Sequence, residues 1–220
     1  MIKYCIFDLD GTLLNTLPTI LYYLNDTLAA FGYPSATEEE CKRYVGDGAY
    51  KLIERALADR GERDGAVIER VLSVYKQAYD DAPLYLTESY EGIFELLSAL
   101  DSAGVMLGVV SNKPDFATRK VVSAFFGDRF SYVVGARDGV PLKPSPDSAV
   151  ELVCKMGGAP SECAFVGDTG VDIVTGKNMG AALSVGVLWG FRDEGELCSA
   201  GADATVSHPD EIVSLIAGKN

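Results

Sequence analysis

The sequence predicts a doubly wound parallel α/β fold, similar to a Rossmann fold, with a smaller all-helical domain inserted after the first strand. Short apolar runs alternate with helical patterns in the second half of the chain, which is typical of a parallel sheet covered by helices on both faces. Between Pro18 and Tyr79, apolar residues instead recur at helical spacing and no strand pattern intervenes.

The first strand is predicted over Tyr4–Phe7, where an apolar run ends abruptly in Asp8-Leu9-Asp10-Gly11. The helical periodicity begins shortly after this point. We therefore predict that the helical insertion spans residues 16–84 and that the α/β core comprises residues 1–15 and 85–220.

The second half of the chain contains the other predicted strands of the core, each separated from the next by a helical or polar segment. The predicted strands cover residues 105–110, 132–134, 163–167, 182–188 and 204–206, and helices are predicted around 93–100, 114–126 and 145–156. This alternation favours parallel strands joined by helical crossovers.

The acidic composition limits the classes of partner. The 220 residues include 19 basic and 32 acidic side chains, which gives a formal net charge of −13. Such a surface repels nucleic acid and anionic membranes, so we expect neither as a partner. It also repels an anionic substrate, so a phosphate site in this protein must carry its own cations.

The cysteines and the hydropathy pattern predict a cytoplasmic protein. The five cysteines are odd in number and form no Cys-x-x-Cys pair, which favours reduced thiols. The one histidine, His208, argues against a zinc site. No apolar run approaches the roughly 20 residues that a membrane helix requires, and the first residues lack a signal-peptide pattern. A monomer and a homodimer both remain open.

Polar residues follow several of the predicted strands at the point where each strand ends. Open parallel sheets bind ligands beyond the carboxyl ends of their strands. We therefore expect residues far apart in sequence to converge on one crevice: Asp8, Asp10, Ser111, Asn112, Lys143 and Asp168.

Asp8 and Asp10 are separated by one residue and point the same way if the strand remains extended. Close carboxylates repel each other, so one must be protonated or a cation must lie between them. A solvated turn is the competing interpretation of Asp-x-Asp alone. The complete Asp-x-Asp-Gly-Thr pattern after an apolar strand is far more specific.

Asp168 follows a predicted strand, and Asp172 lies four residues further on, at the start of a predicted helix. With Asp8 already at the same edge, Asp168 is predicted to be a metal ligand. A hard, oxygen-preferring ion is expected, which indicates Mg²⁺. For Asp172, capping or structural support competes equally with a role at the metal.

Ser111 and Asn112 precede a predicted helix, where unpaired backbone N–H groups can hold a phosphate. A simple helix cap is an equal alternative for Asn112.

Lys143 would be an ordinary surface lysine if considered alone. Together with the aspartates it becomes the expected counter-charge for Asp8 and for phosphoryl oxygens.

These residues resemble the four motifs of the haloacid dehalogenase superfamily, in the same order along the core. The matching segments are Asp8-Leu9-Asp10-Gly11-Thr12-Leu13, Ser111-Asn112, Lys143-Pro144 and Gly167-Asp168-Thr169-x-x-Asp172. The helical insertion resembles the small cap of that superfamily. Within it, the phosphoglycolate phosphatase group is most similar at Val45-Gly46-Asp47-Gly48, Ser111-Asn112-Lys113-Pro114 and Leu188-Trp189-Gly190.

The resemblance implies a role for each matched aspartate. Asp8 would be the nucleophile that forms an aspartyl-phosphate, and Asp10 would act as general acid and then general base. Mg²⁺ would be bound by Asp8, the backbone carbonyl of Asp10, and Asp168. Asp172 would support the metal shell.

The resemblance also implies that Ser111, Asn112 and Lys143 bind the phosphoryl oxygens. Most of the rate gain would then come from positioning and electrostatics. Trp189 and Arg192 could border the same cleft, but packing is the favoured interpretation for both.

A glycine-flanked turn in the insertion is the predicted specificity element, comprising Arg43, Tyr44, Gly46, Asp47 and Gly48. A plain interhelical turn is an equal alternative. A capped site must open and close, which favours a small phosphorylated metabolite over a protein substrate.

Other members of the superfamily carry out different chemistry. Dehalogenases lack the second aspartate, which is present here as Asp10. Sugar phosphomutases usually carry a histidine early in the cap, whereas the one histidine here is His208. A phosphomutase and a non-enzymatic phospho-aspartate signalling module remain the alternatives to a phosphatase. Asn15 departs from the acidic residue that many relatives have there, which affects the hinge rather than the chemistry.

Overall fold

The structure is a computed structural model, and it describes residues 1–217. Its strands are β1 (Tyr4–Phe7), β2 (Leu14–Asn15), β3 (Glu88–Ser89), β4 (Met106–Pro114), β5 (Tyr132–Ala136), β6 (Cys163–Gly167), β7 (Leu183–Val187) and β8 (Ala204–Val206). Its α-helices are α1 (Leu17–Ala30), α2 (Glu38–Tyr44), α3 (Gly48–Ala58), α4 (Gly65–Asp81), α5 (Ile93–Ser102), α6 (Asp115–Phe126), α7 (Asp147–Lys155), α8 (Gly170–Met179), α9 (Glu194–Ser199) and α10 (Asp210–Ala217).

Six strands form one parallel sheet in the order β5-β4-β1-β6-β7-β8. Strands β1, β6 and β7 are buried at every position, as expected for a sheet covered on both faces. Alternate residues of β1 enter different apolar clusters: Cys5 and Phe7 join one, and Tyr4 and Ile6 join the other. The predicted doubly wound α/β fold is confirmed.

The chain divides into two compact units. One contains Met1–Leu14 and the chain from Ser89 onward, and the other is Asn15–Glu88. The sequence pattern had placed the helical insertion at residues 16–84. Strands β2 and β3 lie where the chain passes between the units, and they pair with each other in a two-stranded sheet.

The Asn15–Glu88 unit is built from α1 to α4. Its core includes an aromatic contact between α1 and α4, in which the rings of Tyr23 and Tyr79 lie 5.6 Å apart. Helix α2 begins with a capping box, because Thr37 and Glu40 exchange hydrogen bonds between side chain and backbone. This unit is therefore a small helical bundle with its own apolar interior.

Strand β4 differs from the prediction at its carboxyl end. The apolar pattern predicted an end at Ser111, but the strand continues to Pro114, and its pairing with β5 is irregular between Val110 and Pro114. Helix α6 accordingly begins at Asp115 rather than at Pro114. A proline disfavours helical backbone at the residue before it, so Ser111-Asn112-Lys113 remains extended. This extended segment carries three polar side chains along the sheet edge.

The ion pair between Arg137 and Glu151 joins the end of β5 to α7 and predicts a pH-dependent contribution to stability. Hydrogen bonds from Arg137 and Lys155 lower the pKa of Glu151 to about 2, from an ordinary value of 4.5. Because the folded pKa is the lower one, the stabilisation is present above pH of about 4.5 and is lost as pH falls towards 2.

We expect Glu151→Gln to lower the free energy of unfolding by less than about 1 kcal/mol at neutral pH, since solvent screens this partly exposed pair. The difference from the unmodified protein should shrink steadily as the solution is acidified below pH of about 4.5. Chemical denaturation at several pH values measures it. A difference that stays constant into the acid range would contradict this assignment.

Candidate active site

Three aspartates meet at the carboxyl edge of the sheet. Asp8 follows β1 and Asp168 follows β6, and these strands are parallel neighbours, so their ends lie side by side. Asp172 lies in the first turn of α8. One carboxylate oxygen from each of the three lies within 4.8 Å of the others, and all three residues are buried.

Lys143 supplies the positive charge at this cluster. Its Nζ atom lies 2.7 Å from Asp8 Oδ1 and 2.7 Å from Asp172 Oδ1, and its side chain is 3% exposed. Burial alone would lower the pKa of Lys143, but Asp172 and Asp8 raise it above its ordinary value. Lys143 is therefore a charged ammonium group that joins two carboxylates in the protein interior.

One lysine does not neutralise the cluster. Burial raises the pKa of Asp8 to about 7, with further increases from Asp172 and Asp10 and an opposing effect from Lys143. Burial also raises the pKa of Asp168 well above its ordinary value, and the neighbouring Asp172 and Asp8 add to this. The cluster is thus deficient in positive charge.

The residues present fit a divalent cation. Asp8 Oδ1 is buried, and it shares the Lys143 ammonium group with Asp172. Three buried carboxylates with one ammonium group between them are costly unless a further cation approaches. The donors are oxygen atoms, which Mg²⁺ prefers. Asp8 and Asp168 are the residues that would hold such an ion. The predicted part of the Asp10 backbone carbonyl in binding it stays a prediction.

Two hydrogen bonds orient Asp168. Thr12 Oγ1 donates to its Oδ1 at 3.0 Å, and the backbone N–H of Phe191 donates to its Oδ2 at 2.8 Å. Trp189 Nε1 in turn donates to the Thr12 carbonyl at 3.0 Å. Trp189 also packs against the core, as expected, but its hydrogen bond was not predicted. Thr12 is part of the Asp-x-Asp-Gly-Thr pattern, so the sequence carried a signal for its role.

Asp172 has two sets of partners. Its Oδ1 accepts from Lys143, and its Oδ2 accepts from the Thr169 backbone N–H at 3.1 Å and hydroxyl at 2.7 Å. The bond from the Thr169 backbone N–H caps the first turn of α8. Asp172 therefore caps a helix and positions Lys143, and its support of a metal shell stays a prediction.

Asp10 is paired with a lysine that sequence reasoning did not single out. Lys113 Nζ lies 2.9 Å from Oδ1 and 3.1 Å from Oδ2 of Asp10. The Lys113 side chain is 5% exposed. The available signal was a repeated pattern, because Lys113 and Lys143 each precede a proline in a segment near the sheet edge.

Ser111 and Asn112 lie on the extended part of β4. Ser111 Oγ accepts a hydrogen bond from the Lys113 backbone N–H at 3.2 Å. The Asn112 side-chain amide donates to the Lys143 carbonyl at 3.1 Å and accepts from the Lys143 N–H at 2.8 Å. Asn112 therefore fixes the backbone of Lys143. Phosphate binding by Ser111 and Asn112 stays a prediction.

The predicted specificity turn lies in the Asn15–Glu88 unit. Gly46 and Gly48 have positive φ angles of 112° and 85°, which favour glycine. Asp47 accepts a hydrogen bond from Arg55, and Arg43 is exposed. These contacts account for the shape of the turn, and contact with a substrate stays a prediction.

Comparison with known proteins places this geometry in context. The family model described as haloacid dehalogenase-like hydrolase matches residues 5–185. The phosphoglycolate phosphatase of Haemophilus influenzae is 35% identical over 84% of this chain and 85% of its own length. The phosphoglycolate phosphatase of Aquifex aeolicus is 31% identical over 97% of this chain and 96% of its own length. The N-acetylmuramic acid 6-phosphate phosphatase of Pseudomonas aeruginosa is 30% identical over 98% of this chain and 95% of its own length.

Solved structures are similar over nearly the whole chain. One from Lactobacillus delbrueckii subsp. bulgaricus has a TM-score of 0.93 and 31% identity, and the match covers 97% of this chain and 98% of that one. A hydrolase from Pseudomonas syringae has a TM-score of 0.78 and 26% identity, with 99% of both chains covered.

Gly190 permits the close approach of the loop that holds Asp168. A Cβ atom at Gly190 would lie 2.5 Å from Asp168 Oδ2 and 2.5 Å from the Gly11 carbonyl oxygen. We expect Gly190→Ala to weaken Mg²⁺ binding by about 10- to 100-fold, as when other groups that orient a metal ligand are disturbed. Titration calorimetry with Mg²⁺ measures this affinity.

Gly65→Ala is the matched control, because a Cβ atom there would meet nothing within 4 Å. It should leave Mg²⁺ affinity unchanged. Equal affinities for Gly190→Ala and the control would show that the 189–191 loop does not position the metal ligand.

Proposed function

The chain belongs to the haloacid dehalogenase-like hydrolases, and from this premise we propose that it hydrolyses small phosphate monoesters with Mg²⁺, through a phosphorylated Asp8. The family predicted from the four motifs is confirmed, as is the enzyme class of phosphoric monoester hydrolase. The observation that carries the mechanism is the buried meeting of Asp8, Asp168 and Lys143 at one sheet edge.

The proposed first step is attack by Asp8 on phosphorus. A carboxylate oxygen of Asp8 forms a bond to phosphorus while the bond from phosphorus to the ester oxygen breaks. Asp10 donates a proton to the leaving oxygen, which departs as an alcohol. A Mg²⁺ ion held by Asp8, Asp168 and the backbone carbonyl of Asp10 would supply positive charge to the phosphoryl oxygens.

The second step returns the enzyme to its starting state. Asp10, now a carboxylate, takes a proton from a water molecule as the water oxygen bonds to phosphorus. The bond between phosphorus and Asp8 breaks, and inorganic phosphate is released. Splitting the hydrolysis into two displacements lets one residue serve as acid and then as base.

Lys143 has two tasks in this scheme. It holds the Asp8 carboxylate in place through its second contact with Asp172. It also places a fixed positive charge where the phosphoryl group would lie, in a buried region where charges interact strongly. Ser111 is proposed to add a hydrogen bond to the phosphoryl oxygens.

We propose phosphoglycolate as the substrate, because relatives named phosphoglycolate phosphatase match most of the chain. A relative named for N-acetylmuramic acid 6-phosphate is nearly as similar. A panel of phosphorylated metabolites therefore has to identify the substrate.

Among the described residues, no helix is both long and apolar enough to cross a bilayer. A monomer or homodimer stays a prediction.

The Asp8→Asn variant tests the nucleophile. It should lower the release of inorganic phosphate from p-nitrophenyl phosphate by at least about 10³-fold, because an amide cannot replace the attacking carboxylate. Chelation of Mg²⁺ should abolish the activity of the unmodified protein. The exposed aspartate Asp128, changed to Asn, is the matched control and should retain full activity.

Activity that survives in Asp8→Asn would remove Asp8 from the nucleophile role. A stable phosphoprotein without turnover would favour the signalling module. Conversion of one sugar phosphate into another without net phosphate release would favour a phosphomutase.

The Asp47→Ala variant tests the turn in the helical unit. We expect the ratio of kcat/KM between two phosphate esters with different leaving groups to change by about tenfold. The rate with p-nitrophenyl phosphate should change less. The exposed acid Glu69, changed to Ala, is the control on the same unit.

Asp47 also pairs with Arg55, so thermal unfolding of the variant must be measured alongside the kinetics. A lower melting temperature with unchanged substrate ratios would make this segment a plain interhelical turn.

A further inference from the structure

We propose that Lys113 determines specificity by recognising a negative charge on the leaving group, such as the carboxylate of a phosphorylated hydroxy acid. The proposal rests on the proposed function, because it assumes that Asp10 contacts the leaving oxygen. It adds a second cationic subsite to the one formed by Lys143, and it assigns the two lysines to opposite ends of the substrate.

The first observation is the position of the Lys113 ammonium group. It lies 2.9 and 3.1 Å from the two carboxylate oxygens of Asp10. Among the described residues, Lys113 and Lys143 are the two lysines that are buried as whole residues. Burying an ammonium group is costly, and the contact with Asp10 offsets that cost here.

The second observation is that the backbone of Lys113 is fixed from several sides. Its N–H donates to Ser111 Oγ at 3.2 Å, and its carbonyl accepts from Thr118 Oγ1 at 3.1 Å. A Cβ atom at Gly135 would lie 2.6 Å from the Lys113 carbonyl oxygen, so β5 passes very close. The backbone of Lys113 is therefore fixed, and the contacts with Asp10 hold its ammonium group, which lowers the entropy cost of binding a ligand.

The third observation is the division of the two lysines between the aspartates. Lys143 contacts Asp8 and Asp172, on the side of the nucleophile. Lys113 contacts Asp10, on the side of the acid and base. Asp10 has an 18% exposed side chain, against 10% for Asp8 and 1% for Asp172, so the carboxylate beside Lys113 is the most exposed of the three.

Chemical connectivity links Lys113 to an anionic leaving group. In a phosphorylated 2-hydroxy acid, the carboxylate carbon is two covalent bonds from the ester oxygen. A group that protonates the ester oxygen therefore lies close to whatever binds the carboxylate. The Lys113 ammonium, in contact with both Asp10 oxygens, is in that position.

The charge of the substrate adds to the need for a cation near Asp10. A substrate carboxylate adds negative charge beyond that of the phosphoryl group, in a protein whose net charge is already −13. The Lys113 ammonium group lies beside Asp10, where a carboxylate on the leaving group would meet it.

The test compares two substrates in each of four proteins. The substrates are 2-phosphoglycolate, which carries a carboxylate, and ethyl phosphate, which is similar in size and does not. The proteins are the unmodified chain, Lys113→Met, Lys113→Arg and Lys155→Met. Lys155 is a 51% exposed lysine, so its variant controls for the change in net charge.

We expect Lys113→Met to lower the kcat/KM ratio of 2-phosphoglycolate to ethyl phosphate by about 10- to 100-fold, the range for a lost hydrogen bond between charged groups. Lys113→Arg should keep most of the ratio, and Lys155→Met all of it. Because both substrates are measured on one preparation, a partly unfolded variant does not alter the ratio.

An equal loss on both substrates in Lys113→Met would overturn the proposal and make Lys113 a positioning residue for Asp10. An unchanged rate on both would overturn it as well. If the unmodified chain hydrolyses neither substrate nor any other phosphate ester, the proposed function fails and this inference fails with it. If it hydrolyses both and the ratio never changes, only this inference fails.

Discussion

The buried ammonium group of Lys143, held between Asp8 and Asp172, is the interaction on which the rest of the site depends. Carboxylates so close together in the protein interior repel each other strongly, and burial raises the pKa of both Asp8 and Asp168. Lys143 offsets part of that repulsion, but one ammonium group serves both Asp8 and Asp172. The remaining deficit of positive charge is what makes the cluster suitable for a divalent cation and a phosphoryl group.

The sheet brings these groups together, and the loops then fix their orientation. Parallel pairing of β1 with β4 and β6 places three strand ends at one edge. Asn112, near the end of β4, holds the backbone of Lys143, which belongs to a loop far along the chain. The 189–191 loop holds Asp168 directly and through Thr12. Function therefore rests on contacts between segments that are distant in sequence but adjacent in the sheet.

The sequence predicted the strands and the strand-end aspartates because both depend on local pattern. An apolar run followed by Asp-x-Asp-Gly-Thr has few other interpretations, and parallel topology then determines which strand ends meet. The partners of individual side chains were not predictable in this way. Nothing local distinguishes Lys113, paired with Asp10, from Lys143, paired with Asp8, because both precede proline. The Asn112 contact likewise required the three-dimensional positions of β4 and of a distant loop, and the extension of β4 to Pro114 required knowledge of its pairing with β5.

A crystal structure with Mg²⁺ and beryllium fluoride, which mimics a phosphoryl group on a carboxylate, tests the central claim most directly. The proposed mechanism predicts beryllium fluoride bonded to Asp8, with Mg²⁺ contacting Asp8 and Asp168 and with Lys143 against the fluorine atoms. Beryllium fluoride on another residue, or Mg²⁺ bound away from Asp168, would contradict it.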